Sequence, residues 1–329
     1  MKNCMQAWTW TEPGEPTDLI LRHLERPQPQ AGEVLIENHA VGLNPVDWKF
    51  VGWGHPRWQA GHIPGVDGAG VVVAAGEGVT LPVGCRVAYH QDLFRDGSFA
   101  SHTVLAADVV MRVPDGLDFA TAASLPCPAL TASQAVAKLP PAKGAAVLVT
   151  RAGGAVGTFV VQLLARAGFD VWAAAGSRHH PRLAGLGARH CVDERSADWV
   201  ERLQRLGTPF YAVIDSASGA AAAGLAPLLA YNGHLVCIQD RQEVPPLPAF
   251  TTALSLHEVA LNSVHEYADA AGRAALMATG AALLADVARQ RLQAVPLETF
   301  PFDALPEALL AMKEGVATAR PVLVPDALG

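Results

Sequence analysis

The chain has 329 residues, 50% of them hydrophobic and 17% charged, which is long enough for two domains and too apolar for a disordered protein. Its 24 basic and 31 acidic side chains leave a net charge of −7 with no basic run, so nucleic acid is not an expected partner. No eighteen consecutive apolar residues suggest a membrane span, no signal-peptide core follows Met1–Met5, and five scattered cysteines without a C-x-x-C spacing point to a reducing cytoplasm.

The first predicted strand, Glu33–Ala40, follows a Pro- and Gln-rich stretch. Pro45 fixes its own φ and disfavours helix at Asn44, so a boundary falls there before a turn or short helix start. Six glycines punctuate residues 51–70, and short strands are expected at 71–73, 86–89, 98–104 and 109–113. Together these describe a compact β-rich domain. From Phe119 to Lys138 the chain turns Ala-rich and helical in tendency, interrupted by Pro126 and Pro128. Strand and helix then alternate: strand at 146–150, helix 155–167, strand 170–175, helix 180–186, short strand 190–192, helix 196–206, strand 211–215, helix 219–230 and strand 234–238. That alternation implies a doubly wound parallel sheet with ligands at the carboxyl ends of its strands. A last strand is expected at Val259–Val264, then helices at 270–290 and 302–314 and a closing segment Arg320–Val324.

One stretch carries most of the functional signal. Val147-Leu148-Val149-Thr150-Arg151-Ala152-Gly153-Gly154-Ala155-Val156-Gly157 reads as strand, tight small-residue turn and helix start. Small residues let the backbone approach a pyrophosphate, and the helix N-terminus presents unpaired N–H groups to it. The G-x-G-x-x-G spacing is met in part, with Ala152 in place of the first glycine. Arg151 inside the turn either points to solvent or adds a charge beside the phosphates. The next strand ends in Gly176-Ser177-Arg178 with no acid, which suits the 2′-phosphate of NADP better than the free ribose of NAD.

With Gly42-Leu43-Asn44-Pro45-Val46-Asp47, Pro64-Gly65-Val66-Asp67-Gly68-Ala69-Gly70, Gly97-Ser98-Phe99-Ala100, Ala123-Ser124-Leu125-Pro126, Leu130-Thr131-Ala132 and Val213-Ile214-Asp215-Ser216 in that order, the chain resembles the zinc-independent medium-chain dehydrogenases/reductases of the quinone oxidoreductase type over nearly its whole length. The resemblance implies an α/β fold: a GroES-like β-rich catalytic domain (1–123 and 268–329) and a Rossmann domain (124–267), with an active site in the cleft between them and a homodimer. It further implies cofactor contacts at Thr131, at Ala152, Gly153, Gly154, Ala155, Val156 and Gly157, at Ser177, Arg178 and Arg182, at Ile238, and at Arg320, which stands where relatives have a lysine. His180 occupies the place of another family lysine, so Arg178 and Arg182 are expected to substitute for it.

The zinc-dependent branch of that family has a cysteine where this chain has Asn44 and a histidine where it has Val66; only Cys127 matches a ligand position. One thiol cannot hold a catalytic zinc, and His62 and His90 read as hydrogen-bonded or exposed histidines, so no metal is expected. Without a Lewis acid, an alcohol is a poor substrate. The expected reaction is hydride delivery from NADPH to a quinone or an α,β-unsaturated carbonyl. Asn44 is the first candidate for substrate contact and Lys49 the second, as proton donor or as exposed loop cation. Asp47 reads as a structural acceptor, and Trp48, Trp53 and Trp58 as pocket wall or domain packing. The alternatives are a zinc-dependent alcohol dehydrogenase and a non-catalytic NADPH-binding protein.

Overall fold

A computed structural model describes residues 4–325. The chain forms two units, one of residues up to Cys127 and from Asn262 onward, the other of Pro128–Leu261. The division thus falls slightly inside the expected boundaries at 123 and 268.

The first unit begins with β1 (Cys4–Thr9), paired antiparallel with β2 (Ile20–Glu25), a ribbon that the sequence does not announce. β3 (Glu33–Gly42) leads into α1 (Pro45–Trp53), whose proline sits at the first turn, where a missing N–H costs nothing. β4 (Asp67–Ala75) returns antiparallel along β3 and pairs with β5 (Arg86–His90). β6 (His102–Ala106) lies on β3 and β7 (Val110–Arg112) on β5. The strand expected from 98 starts only at His102, because the Ser98 and Phe99 amides donate to the carbonyls of Gly65 and Pro64. α2 (Phe119–Ala123) is capped by Asp118, whose carboxylate accepts the Thr121 N–H.

α3 (Pro126–Ala137) leads into the second unit, where β8 (Ala146–Val149), α4 (Ala155–Arg166), β9 (Asp170–Ala174), α5 (His180–Gly185) and β10 (His190–Val192) come next. α6 (Trp199–Leu206), β11 (Phe210–Asp215), α7 (Gly219–Leu225), β12 (Leu229–Cys237) and β13 (Ser255–Glu258) follow. All six strands are parallel in the order β10-β9-β8-β11-β12-β13. Counted from β8 this is the 3-2-1-4-5-6 order of a dinucleotide-binding sheet, with its switch point between β8 and β11. Buried Val147, Leu148, Val149, Val213 and Ile214 make the central strands apolar on both faces, as a helix-covered sheet requires.

Two expectations fail here for local reasons. The helix expected over 219–230 stops at Leu225, because Pro227 diverts the chain into a short 3-10 turn and β12 already begins at Leu229. The last strand of this sheet is Ser255–Glu258, not Val259–Val264; His234 pairs with Ser255, and buried Leu261 and Val264 have the i, i+3 spacing of the helical turns they occupy.

The chain then re-enters the first unit through α8 (Val264–Tyr267) and α9 (Ala270–Ala288), which packs on β7. Among the described residues α9 is the one helix whose length and mean hydropathy of 1.2 would let it cross a membrane; here Asp269 caps it and it buries Met277, Leu283 and Leu284. β14 (Leu297–Pro301), α10 (Leu305–Lys313) and β15 (Arg320–Val324) follow, and β15 joins the sheet beside β3. Trp8, Leu43, Val66, Phe99, Leu309 and Leu323 share this unit's core. Segments from both halves of the sequence therefore build one sheet.

Candidate functional site

In the second unit, the turn between β8 and α4 is held from every side. The Ala152 amide donates to the Ala174 carbonyl at 3.0 Å, and the Thr150 hydroxyl donates to Asp215 Oδ1 at 2.6 Å. Asp215, buried, accepts the Ala217 and Ser218 amides through its other oxygen. A Cβ on Gly157 would lie 2.5 Å from Ala152 Cα, so only glycine lets α4 pack this closely on the turn. Gly154 caps α4 without a side chain, and the first intrahelical bond is made by Thr158, leaving the Ala155, Val156 and Gly157 amides without helical acceptors. This is the geometry that receives an anion. Beside it, the Ser216 hydroxyl is buried with no partner at the carboxyl end of β11, an orphan suited to a ligand. Ile238 follows β12, its amide on the Asp215 carbonyl, and Thr131 lies buried in α3.

The carboxyl end of β9 gathers cations. Ser177 and Arg178 are exposed. The Arg178 Nε donates to His179 Nε2 at 3.1 Å, and the His179 ring lies over Gly153, where a Cβ would be 2.6 Å away. Burial, followed by the charges of Arg178, Arg182 and Arg195, holds the His179 imidazole below the ordinary histidine range. Arg195 follows β10, and its Nε would be 2.8 Å from a Cβ on Gly176. Sequence reasoning misses it: the parallel pairing of Val192 with Ala174 brings it to Gly176.

Arg182 lies against the turn itself. Its guanidinium donates to the Thr158 hydroxyl at 3.0 Å and to the Gly153 carbonyl at 2.9 Å, so it braces the turn from behind. His180 turns inward onto the Ala175 carbonyl. Arg151 points to solvent: its side chain is 65% exposed and reaches Glu194 only at 3.9 Å, while its amide donates to the same carboxylate at 3.1 Å. Its φ of 50° is unusual for a residue other than glycine.

The first unit holds a buried polar cluster around Asp67, which is 0% exposed. Asp67 Oδ1 lies 2.8 Å from His90 Nδ1, and Oδ2 accepts the Asn44 side-chain amide at 3.0 Å and the Cys127 backbone amide at 2.9 Å. Asn44 Oδ1 in turn accepts from the Arg320 guanidinium at 2.8 Å, which lies 3.7 Å from Asp67 Oδ2. Asp47 Oδ2 accepts the Asn44 backbone amide at 2.7 Å while its Oδ1 is buried without a partner. Burial raises the Asp47 carboxyl to about 8, the nearby Asp67 adding to the shift, so it keeps its proton at neutral pH.

These contacts bear on two of the expected site residues. Asn44 is 1% exposed with both ends of its amide engaged, and Arg320 is 8% exposed and committed to Asn44 and Asp67. The first is not a free donor for a substrate carbonyl, and the second is not a free cation for a nucleotide phosphate. Sequence shows residue type but not enclosure. Lys49 is half-buried on α1, its Nζ 5.6 Å from the Trp48 ring centroid. Trp58 belongs to the core, donating to the Leu93 carbonyl, and Trp53 is exposed. Trp48 Nε1 is buried and unpartnered.

The sequence leads to no metal site, yet the structure brings three possible ligands together: Asp67, His90 and Cys127 offer atoms within 4.8 Å of one another. His62 is elsewhere, stacked on Trp58. As they stand, the three do not fit an ion. Both Asp67 oxygens are occupied, the His90 nitrogen faces one of them, and a guanidinium adjoins the set.

Residues 30–115 match the alcohol dehydrogenase GroES-like domain and residues 186–323 the zinc-binding dehydrogenase domain. The chain is 31% identical to the chloroplastic quinone-oxidoreductase homolog of Spinacia oleracea, over 70% of this chain and 74% of that one. It is 32% identical to the trans-enoyl reductase tndF of Aspergillus flavipes, over 60% of this chain but only 62% of that protein's length. The structure of a cobalt- and zinc-bound thermostable alcohol dehydrogenase from Pyrobaculum aerophilum superposes with a TM-score of 0.81 over 98% of this chain and 100% of that one, at 23% identity. At that identity the likeness speaks for the fold alone.

Proposed function

This chain belongs to the medium-chain dehydrogenase/reductase family, and we propose that it is an NADPH-dependent reductase passing hydride to a quinone or an α,β-unsaturated carbonyl without a metal ion. The observation that carries the cofactor choice is the set of guanidinium groups around His179, with no acid at the end of β9 to hold a free ribose. Quinone and enone acceptors are favoured by the quinone-oxidoreductase and trans-enoyl reductase relatives.

In this reading the Ala155, Val156 and Gly157 amides take the pyrophosphate, with Ala152, Gly153 and Gly154 allowing its approach. Ser177, Arg178 and Arg195 take the 2′-phosphate, and Arg182 keeps the turn in shape behind them. Thr131, Ser216 and Ile238 flank the nicotinamide end. The bound dihydronicotinamide supplies the hydride. An acceptor that is already electron-poor needs orientation and exclusion of water more than a Lewis acid. Hydride adds to the β-carbon of an enone and a proton from water completes the α-carbon; a quinone takes the same hydride and a proton to become the hydroquinone. Lys49 is the residue of the first unit assigned to the substrate oxygen, whereas Asn44 positions Asp67 and Arg320. A cytoplasmic homodimer, inferred from the cysteine pattern and the family, belongs to the same proposal.

The test is oxidation of NADPH and NADH by chelator-treated protein against a panel of quinones, enones and simple alcohols. NADPH turnover with quinones or enones is expected. Turnover confined to alcohols, or restored only by zinc, would establish the alcohol dehydrogenase alternative. Tight NADPH binding without turnover would establish a non-catalytic binder.

A further inference from the structure

The Asp67 cluster contains the donor chemistry of a metal site and a buried cation beside it. A carboxylate, an imidazole and a thiol within 4.8 Å of one another are a set that zinc or cobalt commonly takes. The fold assembles them closely: Asp67 opens β4 directly opposite His90 at the end of β5, and the Cys127 amide at the start of α3 is tied to the Asp67 carboxylate. Arg320, at the start of β15, brings its guanidinium into the same enclosure, fixed by Asn44 Oδ1 at 2.8 Å. Asp67 Oδ2 lies 3.7 Å from that guanidinium. Arg320 Nε is buried and unpartnered, while Nη2 makes the contacts to Asn44 and Asp67.

A buried carboxylate needs a compensating positive charge. That charge can be an ion held by Asp67, His90 and Cys127, or a side chain that reaches the same oxygen. Both together would place a divalent cation against a guanidinium in a site with little solvent to screen them. We propose that Arg320 is a built-in cation: it supplies the positive charge that a bound ion would otherwise give this cluster, and thereby closes Asp67, His90 and Cys127 to metal. Arg320 is on this account a positioning residue, acting through Asn44 and Asp67. The inference shares the metal-free premise of the proposed function, but it concerns binding, and is tested without cofactor or substrate.

The test is a Co²⁺ titration of the full chain, read by the thiolate-to-cobalt charge-transfer absorbance. Wild-type protein is expected to develop no such band. Arg320→Gln should develop one, with Co²⁺ affinity raised ~100-fold or more, and the band should vanish in Arg320→Gln combined with Cys127→Ser. Arg320→Lys, which keeps the charge, should remain closed and covers the case in which the neutral variant does not fold. A stoichiometric band in wild type or in Arg320→Lys would overturn the proposal, as would a folded Arg320→Gln protein that takes up no cobalt. A purely structural role for Arg320 would not move this readout. Chelator-treated turnover reports separately on the metal-free reaction, so either claim can fail without the other.

Discussion

The turn Thr150–Gly157 and the cluster around Asp67 both prepare a place for charge, but from opposite materials. The turn is backbone: a short run of consecutive residues, with glycines where a Cβ would strike Ala152 or His179, aims main-chain amides outward. The cluster is side chain: Asn44, Asp67, His90, Cys127 and Arg320 come from distant segments, Asn44 and Arg320 being 276 positions apart, and turn their polar atoms inward. A backbone site tolerates changes of side chain but not added volume, whereas a side-chain site tolerates little change of charge.

The largest effect separating the two should come from Gly157→Val. Its Cβ would fall 2.5 Å from Ala152 Cα and 2.7 Å from the Arg151 carbonyl, both backbone atoms that cannot swing away. Overpacking of this kind costs ~1–3 kcal/mol, and the displaced α4 would carry its amides off the phosphates. NADPH and NADH binding, followed by fluorescence, should both fall at least ~100-fold. Retained affinity would show that the first turn of α4 is not the phosphate site.

Next in size is a change that should divide the two cofactors. Arg195→Ala should weaken NADPH ~10–30-fold, the loss of one charge-assisted hydrogen bond, and leave NADH within about twofold. Arg182→Ala makes the informative contrast, because its guanidinium holds the Gly153 carbonyl and Thr158 and should weaken both cofactors alike. Equal losses in Arg195→Ala would remove Arg195 from the phosphate site.

The same contrast explains what is legible in the sequence. The strand, turn and helix of the phosphate site are contiguous, so residue order alone displays them, and the alternation after it leads directly to the parallel sheet. Arg195 is hidden because only the pairing of β10 with β9 brings it to Gly176. Asn44 reads as facing a substrate because nothing local shows that β4 and β15 close over it with Asp67 and Arg320. Val259–Val264 reads as a strand because a short apolar run has no period long enough to distinguish strand from helical turn.

A third, smaller effect lies in the pH dependence of the side-chain site. The Asp47 carboxyl rises from 3.8 to about 8 through burial, with the charge of Asp67 adding and that of Arg320 opposing. Below the lower value both folded and unfolded chains are protonated. Between the two values the unfolded chain releases the proton and the folded one keeps it, so stability is lost as pH rises across this window and levels off above it. Asp47→Asn cannot ionise and should remove that part of the slope. Compared between pH 5 and pH 9, the melting temperature of wild type should fall ~3–6 °C further than that of the variant. Parallel curves would mean that Asp47 is ionised in the folded protein.

The smallest effect is expected at Arg151, where a backbone site carries a residue of the wrong shape. Its φ of 50° is a left-handed conformation that costs an ordinary residue ~1–2 kcal/mol and glycine little. Its guanidinium offers little in return, being 65% exposed and 3.9 Å from Glu194. The firmer link to Glu194 is the backbone amide, which every residue except proline retains. Arg151→Gly should therefore gain about 0.5 kcal/mol of stability, the relief of strain less the added freedom of the unfolded chain, with NADPH affinity unchanged. Urea denaturation and a cofactor titration measure the two. If stability rises but NADPH weakens selectively, Arg151 belongs with Arg178 and Arg195 as part of the phosphate site. If both stay as predicted, the guanidinium is a solvent-facing passenger on a turn whose function resides in its amides.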